Sequence, residues 1–329
     1  MKAYLEKIFE GAWLTSTEAY DALLQLTSGD CNAAQAAGFI AAYNMRPPSL
    51  EELRGFHSAL LEHCLPINLS AHEAVDIVGT GGDGKNSFNI STLSAIVVAA
   101  AGCKVVKHGS YGASSLIGSS NVLAFLGYRF LHDSSALQDQ LDRTGICFLH
   151  APLFHPLLKR VAPIRRDIGL RSFFNVMGPL INPAGISNMV LGVNSLEVAR
   201  IYQYLLQERR KNYMILHSID GFDEISLTGR FKVITDNDTC LYEPEDLGFA
   251  PCNTDDLTAG NTIQDAVGLF VSVLQGKGSQ AQNNVVIANS AWSIHCVHPE
   301  RSIEDCIAAA KEALQSGKAL SVFQQLLNE

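Results

Sequence analysis

The sequence predicts an α/β protein in which a small N-terminal helical domain precedes a larger α/β domain, the latter with a central, mostly parallel sheet flanked by helices. Three observations predict it. From about residue 74, strand-like and helix-like stretches alternate, the pattern of a parallel sheet covered on both faces. The first 65 residues instead show repeated helix-start signals. The composition, 47% hydrophobic and 17% charged, falls below the roughly 25% charge of ordinary soluble domains, which suits a large core and argues against disorder. At roughly 150 residues per domain, a chain of 329 suggests about two structural units.

The elements follow in order. Thr15 and Glu18 have the spacing of a capping box, in which each side chain satisfies an orphan backbone N–H at a helix start. Ser49 and Glu52 repeat it directly after Pro47-Pro48. Between them, Asn32 to Tyr43 is rich in Ala, Ile and Phe, with small residues that allow close helix packing. This stretch shows no obvious chemistry and reads as a helical domain or an oligomer interface. Val75 to Val78 then reads as a buried strand, followed by a glycine-rich loop and an apolar helix over Ser91 to Ala101. Lys104 to Lys107 is a second strand, Ser120 to Gly127 a short helix, and Ile146 to Leu149 a third strand. A strand over Met189 to Val193, a helix over Leu196 to Leu206 and a strand over Tyr213 to His217 continue the alternation. Residues 228 to 243 look like two appended antiparallel strands, and 260 to 328 returns to helices. Ligands of open α/β sheets bind outside the carboxyl ends of the strands. The segments after residues 78, 106, 149 and 217 fall there, which points to an enzyme.

Charge and composition exclude several classes. With 24 Lys+Arg against 33 Asp+Glu the net charge is −9, and no basic stripe is present to release phosphate counterions, so a nucleic-acid partner is not expected. The longest strongly apolar run, Ala95 to Cys103, is about half of the roughly 20 residues needed to span a bilayer, so no membrane association is expected. Charges interrupt the N-terminal apolar stretch, unlike a signal peptide, and the eight cysteines include no C-x-x-C. A cytoplasmic protein without a zinc site or a compact disulfide framework is expected.

Gly79-Thr80-Gly81-Gly82-Asp83-Gly84-Lys85 matches two familiar patterns and satisfies neither. A dinucleotide fingerprint opens a helix directly and has an acid about 20 residues on. Here Asn86-Ser87-Phe88 intervene, and Val97 to Val106 contains no acid. An NTPase phosphate loop places Ser or Thr after its Lys, where this chain has Asn86. What survives is the physics common to both. Closely spaced glycines let backbone N–H groups approach an anion, and the helix beginning at Asn89-Ile90-Ser91-Thr92 adds hydroxyls, N–H groups and its positive dipole end. A phosphate is the natural ligand. Taken alone, the Asp223-Glu224 pair reads as a solvated turn, and Lys107 at a strand end could be a surface charge.

Together, Gly79-Thr80-Gly81-Gly82-Asp83, Asn89-Ile90-Ser91-Thr92, Lys107-His108-Gly109 and Asp223-Glu224 resemble the anthranilate phosphoribosyltransferases of tryptophan biosynthesis. The similarity extends to His155-Pro156, Val161 to Arg166 and Asn175 to Pro183, in the right order along most of the chain. The resemblance implies transfer of a 5-phosphoribosyl group from phosphoribosyl pyrophosphate to the amino group of anthranilate, with Mg²⁺ and a homodimer built through the N-terminal helices. It implies a fold shared with the pyrimidine nucleoside phosphorylases. The expected domains are a helical one over 1–66, joined by a helical segment near 156–175, and a phosphoribosyl-transfer domain over 74–329. By the same resemblance, phosphoribosyl pyrophosphate is held by Gly79, Thr80, Gly81, Gly82, Asp83, Ser87, Asn89, Ile90, Ser91, Thr92, Lys107 and Ser115. Anthranilate is held by Gly79, Ser110, His155 and Arg165, and the metal by Ser91, Asp223 and Glu224. No residue is assigned as a general acid or base.

The chemistry agrees with this reading. An aromatic amine is already neutral near pH 7, so the difficult step is expelling pyrophosphate through an oxocarbenium-like transition state. Positioning and stabilisation of the leaving group's charge should dominate. Adjacent carboxylates supply hard oxygen ligands for Mg²⁺, Lys107 a point cation, and Arg165 a fork for a planar carboxylate. His108 and His155 could equally be structural, and Arg166 and Arg171 read as ion-pair partners. One departure stands out: Ser110, Tyr111 and Leu116 replace the family's usual Asn, Arg and Lys. This leaves open a phosphoribosyltransferase with a different aromatic acceptor, a pyrimidine nucleoside phosphorylase, or a silent relative that binds nucleic acid.

Overall fold

The structure is a computed structural model that describes residues 1–28, 30–69, 73–112, 118–207 and 212–328. It contains two compact units, one of residues 1–67 and 151–183, the other of 68–150 and 184–329.

The first unit is helical, with helices at Lys2–Phe9, Ser16–Ser28, Ala33–Met45 and Leu50–Glu62 joined by Pro156–Ile168 and Phe173–Met177. Both capping boxes form, Thr15 with Glu18 and Ser49 with Glu52. Glu52 does more than cap. Its carboxylate also accepts from Arg46, from the Tyr43 hydroxyl at 3.0 Å and from the Leu14 N–H at 3.1 Å. Burial would raise this carboxyl, but Arg46 and the N–H donors hold it below its ordinary value. Phe173 stacks on Phe56 at 4.5 Å and meets Phe39 and Tyr43 edge-on, so the later segment shares the core of the first four helices.

The second unit is built on a seven-stranded sheet. Its strands are β1 (Val75–Gly79), β2 (Val105–Gly109), β3 (Ile146–His150), β4 (Asn188–Gly192), β5 (Asn212–Ser218), β6 (Phe231–Ile234) and β7 (Thr239–Tyr242). The spatial order is β3-β2-β1-β4-β5-β6-β7, with β1 to β5 parallel and β6 and β7 antiparallel. Helix Ile90–Ala100 packs on the sheet and against the helices Gln280–Val297, Ile303–Gln315 and Lys318–Leu327. Every residue from Leu93 to Ala99 is buried, and all but Ser94 are apolar, as a helix covered on every side requires. Ile96, Val97 and Val98 are wholly covered, and each contributes roughly 1.5–3 kcal/mol through burial. The helix start is thereby anchored by its own C-terminal half. Among the described residues, no helix is long and apolar enough to cross a membrane.

Candidate active site at the carboxyl ends of β1 and β4

The chain moves from β1 to β2 to β3 and then returns to the other side of β1 with β4. Loops leaving β1 and β4 therefore diverge and open a crevice, the switch point at which α/β sheets bind ligands. Gly79 and Gly192 end these strands and face each other in register. A Cβ on Gly79 would overlap the Asp223 carboxylate, and one on Gly192 would overlap the Asp223 carbonyl oxygen. The two glycines form the notch that admits Asp223.

Beyond β1, Gly81 and Gly82 hold φ of +65° and +67°, a region that L side chains rarely adopt. The Thr80 N–H bonds the Gly192 carbonyl at 2.9 Å, joining the glycine loop to β4. The Gly81 N–H donates to Asp223 Oδ2 at 2.6 Å. Asp83 Oδ1 accepts from the Lys85 N–H at 3.0 Å. Ser87 bridges Thr258, while Phe88 N–H bonds Leu257 and Ala259 N–H bonds Asn86, so segment 257–259 clamps the end of the loop. Sequence reasoning missed that clamp, because nothing local links the two stretches.

Asn89 caps helix Ile90–Ala100 but makes no side-chain cap bond, and Ile90 is buried beneath it. The Ser91 N–H is instead satisfied by Glu224 Oε1 at 2.8 Å. Lys107 is buried, with its ammonium donating to the Ile77 carbonyl and to Ser91 Oγ. Burial lowers its pKa, and Asp76, Glu224 and Asp223 oppose the shift. The surface-charge reading of Lys107 is thus corrected. So is the solvated turn at Asp223-Glu224, since Asp223 is buried in the notch and Glu224 half-buried at the helix start. Burial, with the charge of Asp83 next in importance, lifts the Asp223 carboxyl to about 7, and burial with Asp223 and Asp83 raises Glu224 well above its ordinary value. Among the described residues, three acids crowd one crevice without an equal number of cations.

A divalent cation fits this crowding. Asp83 Oδ2, Thr80 Oγ1 and Thr92 Oγ1 are buried without hydrogen-bond partners among the described residues. Such orphaned oxygens are costly unless a ligand completes them. No cage of three or more His, Cys, Asp or Glu side chains closes among the described residues. An incomplete set of carboxylate and hydroxyl oxygens suits Mg²⁺, which keeps waters and takes substrate phosphates as ligands. The residues that would hold it are Asp223, Glu224 and Ser91.

The remaining expected residues fall elsewhere. Ser110 is exposed just past β2, and its carbonyl accepts from the Ser120 N–H and Ser119 Oγ, both at 3.3 Å. Tyr111 turns its ring edge-on to His150 at 4.6 Å. Ser115 and Leu116 lie outside the described residues. His155 and Arg165 belong to the helical unit. His155 is buried, and burial drops its pKa to about 4, with the main chain of Ile181 and Leu60 opposing the shift. Arg165 packs over the Phe174 ring and donates to Asn175 Oδ1 at 3.3 Å, with no carboxylate partner among the described residues. Arg166 and Arg171, expected as ion-pair partners, also lack one among the described residues; Arg166 instead faces the negative dipole end in the last turn of its helix. Asp76, passed over as a strand residue, is buried in mid-strand and accepts the His108 N–H at 3.1 Å. An acid inside an apolar strand was the signal that could have found it.

Comparison with known proteins gives the class first. Residues 71–320 match the a/b domain of the glycosyl transferase family, and residues 2–64 match its helical bundle domain. The chain is 48% identical to the anthranilate phosphoribosyltransferase of Flavobacterium psychrophilum over 99% of its length and 98% of the relative's. Its structure resembles that of the Thermus thermophilus anthranilate phosphoribosyltransferase with a TM-score of 0.89, 31% identity and 98% coverage of both chains. It also resembles the Saccharomyces cerevisiae enzyme, solved in complex with PRPP and Mg, with a TM-score of 0.91, 27% identity and coverage of 99% and 96%. The chain belongs to the anthranilate phosphoribosyltransferase family.

Proposed function

We propose that the chain transfers the 5-phosphoribosyl group of phosphoribosyl pyrophosphate to the amino group of anthranilate. The observation that bears most weight is the crevice between β1 and β4, where the Gly81 and Ser91 N–H groups, buried Lys107 and the Asp223-Glu224 carboxylates converge. In the reaction the amine nitrogen forms a bond to C1′ while the bond from C1′ to pyrophosphate breaks. Its electron pair leaves with pyrophosphate, and the nitrogen gives its surplus proton to solvent. No side chain has to serve as a base.

The glycine loop from Gly79 to Asp83, with Ser87, Asn89, Ile90, Ser91 and Thr92, would bind the phosphate groups through N–H and hydroxyl donors. Ser115 belongs to the same expected set. Lys107 adds a positive charge where negative charge grows on the leaving group. Mg²⁺, when bound by Asp223, Glu224 and Ser91, supplies Lewis-acid stabilisation of the departing pyrophosphate. Arg165 suits the anthranilate carboxylate, because it is partly desolvated and unclaimed by an acid among the described residues. Gly79, Ser110 and His155 complete the proposed acceptor set.

The helical unit is the proposed surface for a homodimer, and sedimentation equilibrium at the mass of a single chain would refute it. Phosphorylated, highly charged substrates favour a cytoplasmic setting. The acids retained at the switch point favour neither nucleic-acid binding nor phosphorolysis of a nucleoside. The test is loss of anthranilate fluorescence with matching, Mg²⁺-dependent pyrophosphate release. Absence of both signals over a wide range of enzyme concentration would overturn the proposal.

A further inference from the structure

Asn289 lies in the middle of helix Gln280–Val297, buried, where an asparagine is poorly suited to the helix and costly to desolvate. Its amide is nevertheless fully engaged. Oδ1 accepts the Ile225 N–H at 3.0 Å, and Nδ2 donates to the carbonyls of Ile225 and Val285, both at 2.8 Å. The side chain thus pairs in both directions with the main chain of the residue that follows Glu224.

Buried Ser218, at the end of β5, completes the grip. Its hydroxyl donates to the Glu224 carbonyl at 2.7 Å while receiving the Ser226 N–H at 3.2 Å. The Glu224 carbonyl and the Ile225 N–H are the two polar atoms of one peptide group. Ser218 binds one and Asn289 the other, so the plane of that peptide cannot rotate without breaking both bonds. This plane sets the direction in which Glu224 leaves the chain. Glu224 in turn reaches the Ser91 N–H, and its neighbour Asp223 reaches Gly81.

We infer that Asn289 is a positioning residue, acting with Ser218 to hold the Asp223-Glu224 carboxylates in register with the phosphate-binding donors. The inference rests on the proposed reading of that pair as the metal-binding acids. It reaches residues in a helix and a strand that lie outside the proposed binding set. Outer hydrogen-bond partners of metal ligands characteristically change metal affinity by about 10–100-fold when lost.

The experiment is equilibrium dialysis of radiolabelled pyrophosphate at a fixed Mg²⁺ concentration, with no turnover, on the full chain. Wild type, Asn289→Leu, Ser218→Ala and an Asp223→Ala/Glu224→Ala double variant are compared, with circular dichroism and melting temperature as folding controls. The expected result is that wild type binds, the double variant does not, and Asn289→Leu and Ser218→Ala each weaken binding about tenfold or more. In steady-state assays the same two variants raise KM for phosphoribosyl pyrophosphate while KM for anthranilate stays within about twofold. If Asn289→Leu fails to fold, Ser218→Ala decides. Folded variants that lower the melting temperature but bind magnesium pyrophosphate within twofold of wild type would overturn the positioning role and leave the metal-site reading standing. A wild type that does not bind, or a double variant that binds normally, would overturn that reading and this inference with it.

Discussion

Replacing Gly192 by Ala probes the notch most directly. Its backbone is not left-handed, so alanine is tolerated by the β4 chain itself and the cost arises from what the new methyl meets. The methyl carbon would overlap the Asp223 carbonyl oxygen and stand 2.8 Å from the Asp223 carbonyl carbon. Ordinary contact begins near 3.4 Å, so the carbon alone must retreat by about 0.6 Å and the oxygen by more. The obstacle is backbone, not the end of a flexible side chain. A shift of this size breaks the 2.6 Å bond between Gly81 and Asp223 and moves the acid pair off its donors. A displacement near 1 Å at a reacting centre costs about a hundredfold in rate. That corresponds to about 2.7 kcal/mol of transition-state stabilisation, at about 1.36 kcal/mol per tenfold. The assay is initial-rate loss of anthranilate fluorescence with phosphoribosyl pyrophosphate and Mg²⁺ varied, beside a melting curve. We expect kcat/KM for phosphoribosyl pyrophosphate to fall about a hundredfold, with a folded protein. A Gly192→Ala enzyme that keeps wild-type kcat/KM would show that Asp223 need not sit in the notch.

Three further outcomes follow from the site. Because folding raises the Asp223 carboxyl from 3.8 to about 7, the metal-free folded state holds a proton there that the unfolded chain has lost, so the contribution of this group to stability declines as pH rises from about 4 to 7. Asp223→Asn should therefore melt higher than wild type at pH 8 without metal, with the gap closing near pH 4; an equal gap at both pH values would contradict this. Lys107→Met should retain the fold and lose about a hundredfold or more in kcat/KM for phosphoribosyl pyrophosphate, since it removes a buried cation beside Ser91, and steady-state kinetics with a wild-type value would count against its role. Ser110→Asn should raise kcat/KM for anthranilate about two- to tenfold, one hydrogen bond of roughly 0.5–1.5 kcal/mol. Wild-type preference for another aromatic acceptor, lost in the Asn variant with no gain on anthranilate, would reassign the acceptor.

Much of this protein was legible in the linear sequence. Strand and helix types, the capping boxes at Thr15 and Ser49 and the helix start at Asn89 are local properties, set by residues a few positions apart. The left-handed turn at Gly81 and Gly82 was legible for the same reason, because the backbone freedom of glycine belongs to the residue. The order of the strands was not. The pairing of β1 with β4 joins residues more than a hundred positions apart, and it turns two unremarkable strand-end glycines, Gly79 and Gly192, into a notch for Asp223. Burial inverted the local reading of Lys107 and Asp223, since a charge looks solvated in sequence until helix Ile90–Ala100 and the sheet close around it. Asn289 and Ser218 carried no motif at all. Their function exists only as contacts with a peptide group that folding brings to them, and side-chain chemistry in one dimension does not encode which main-chain atoms will be near.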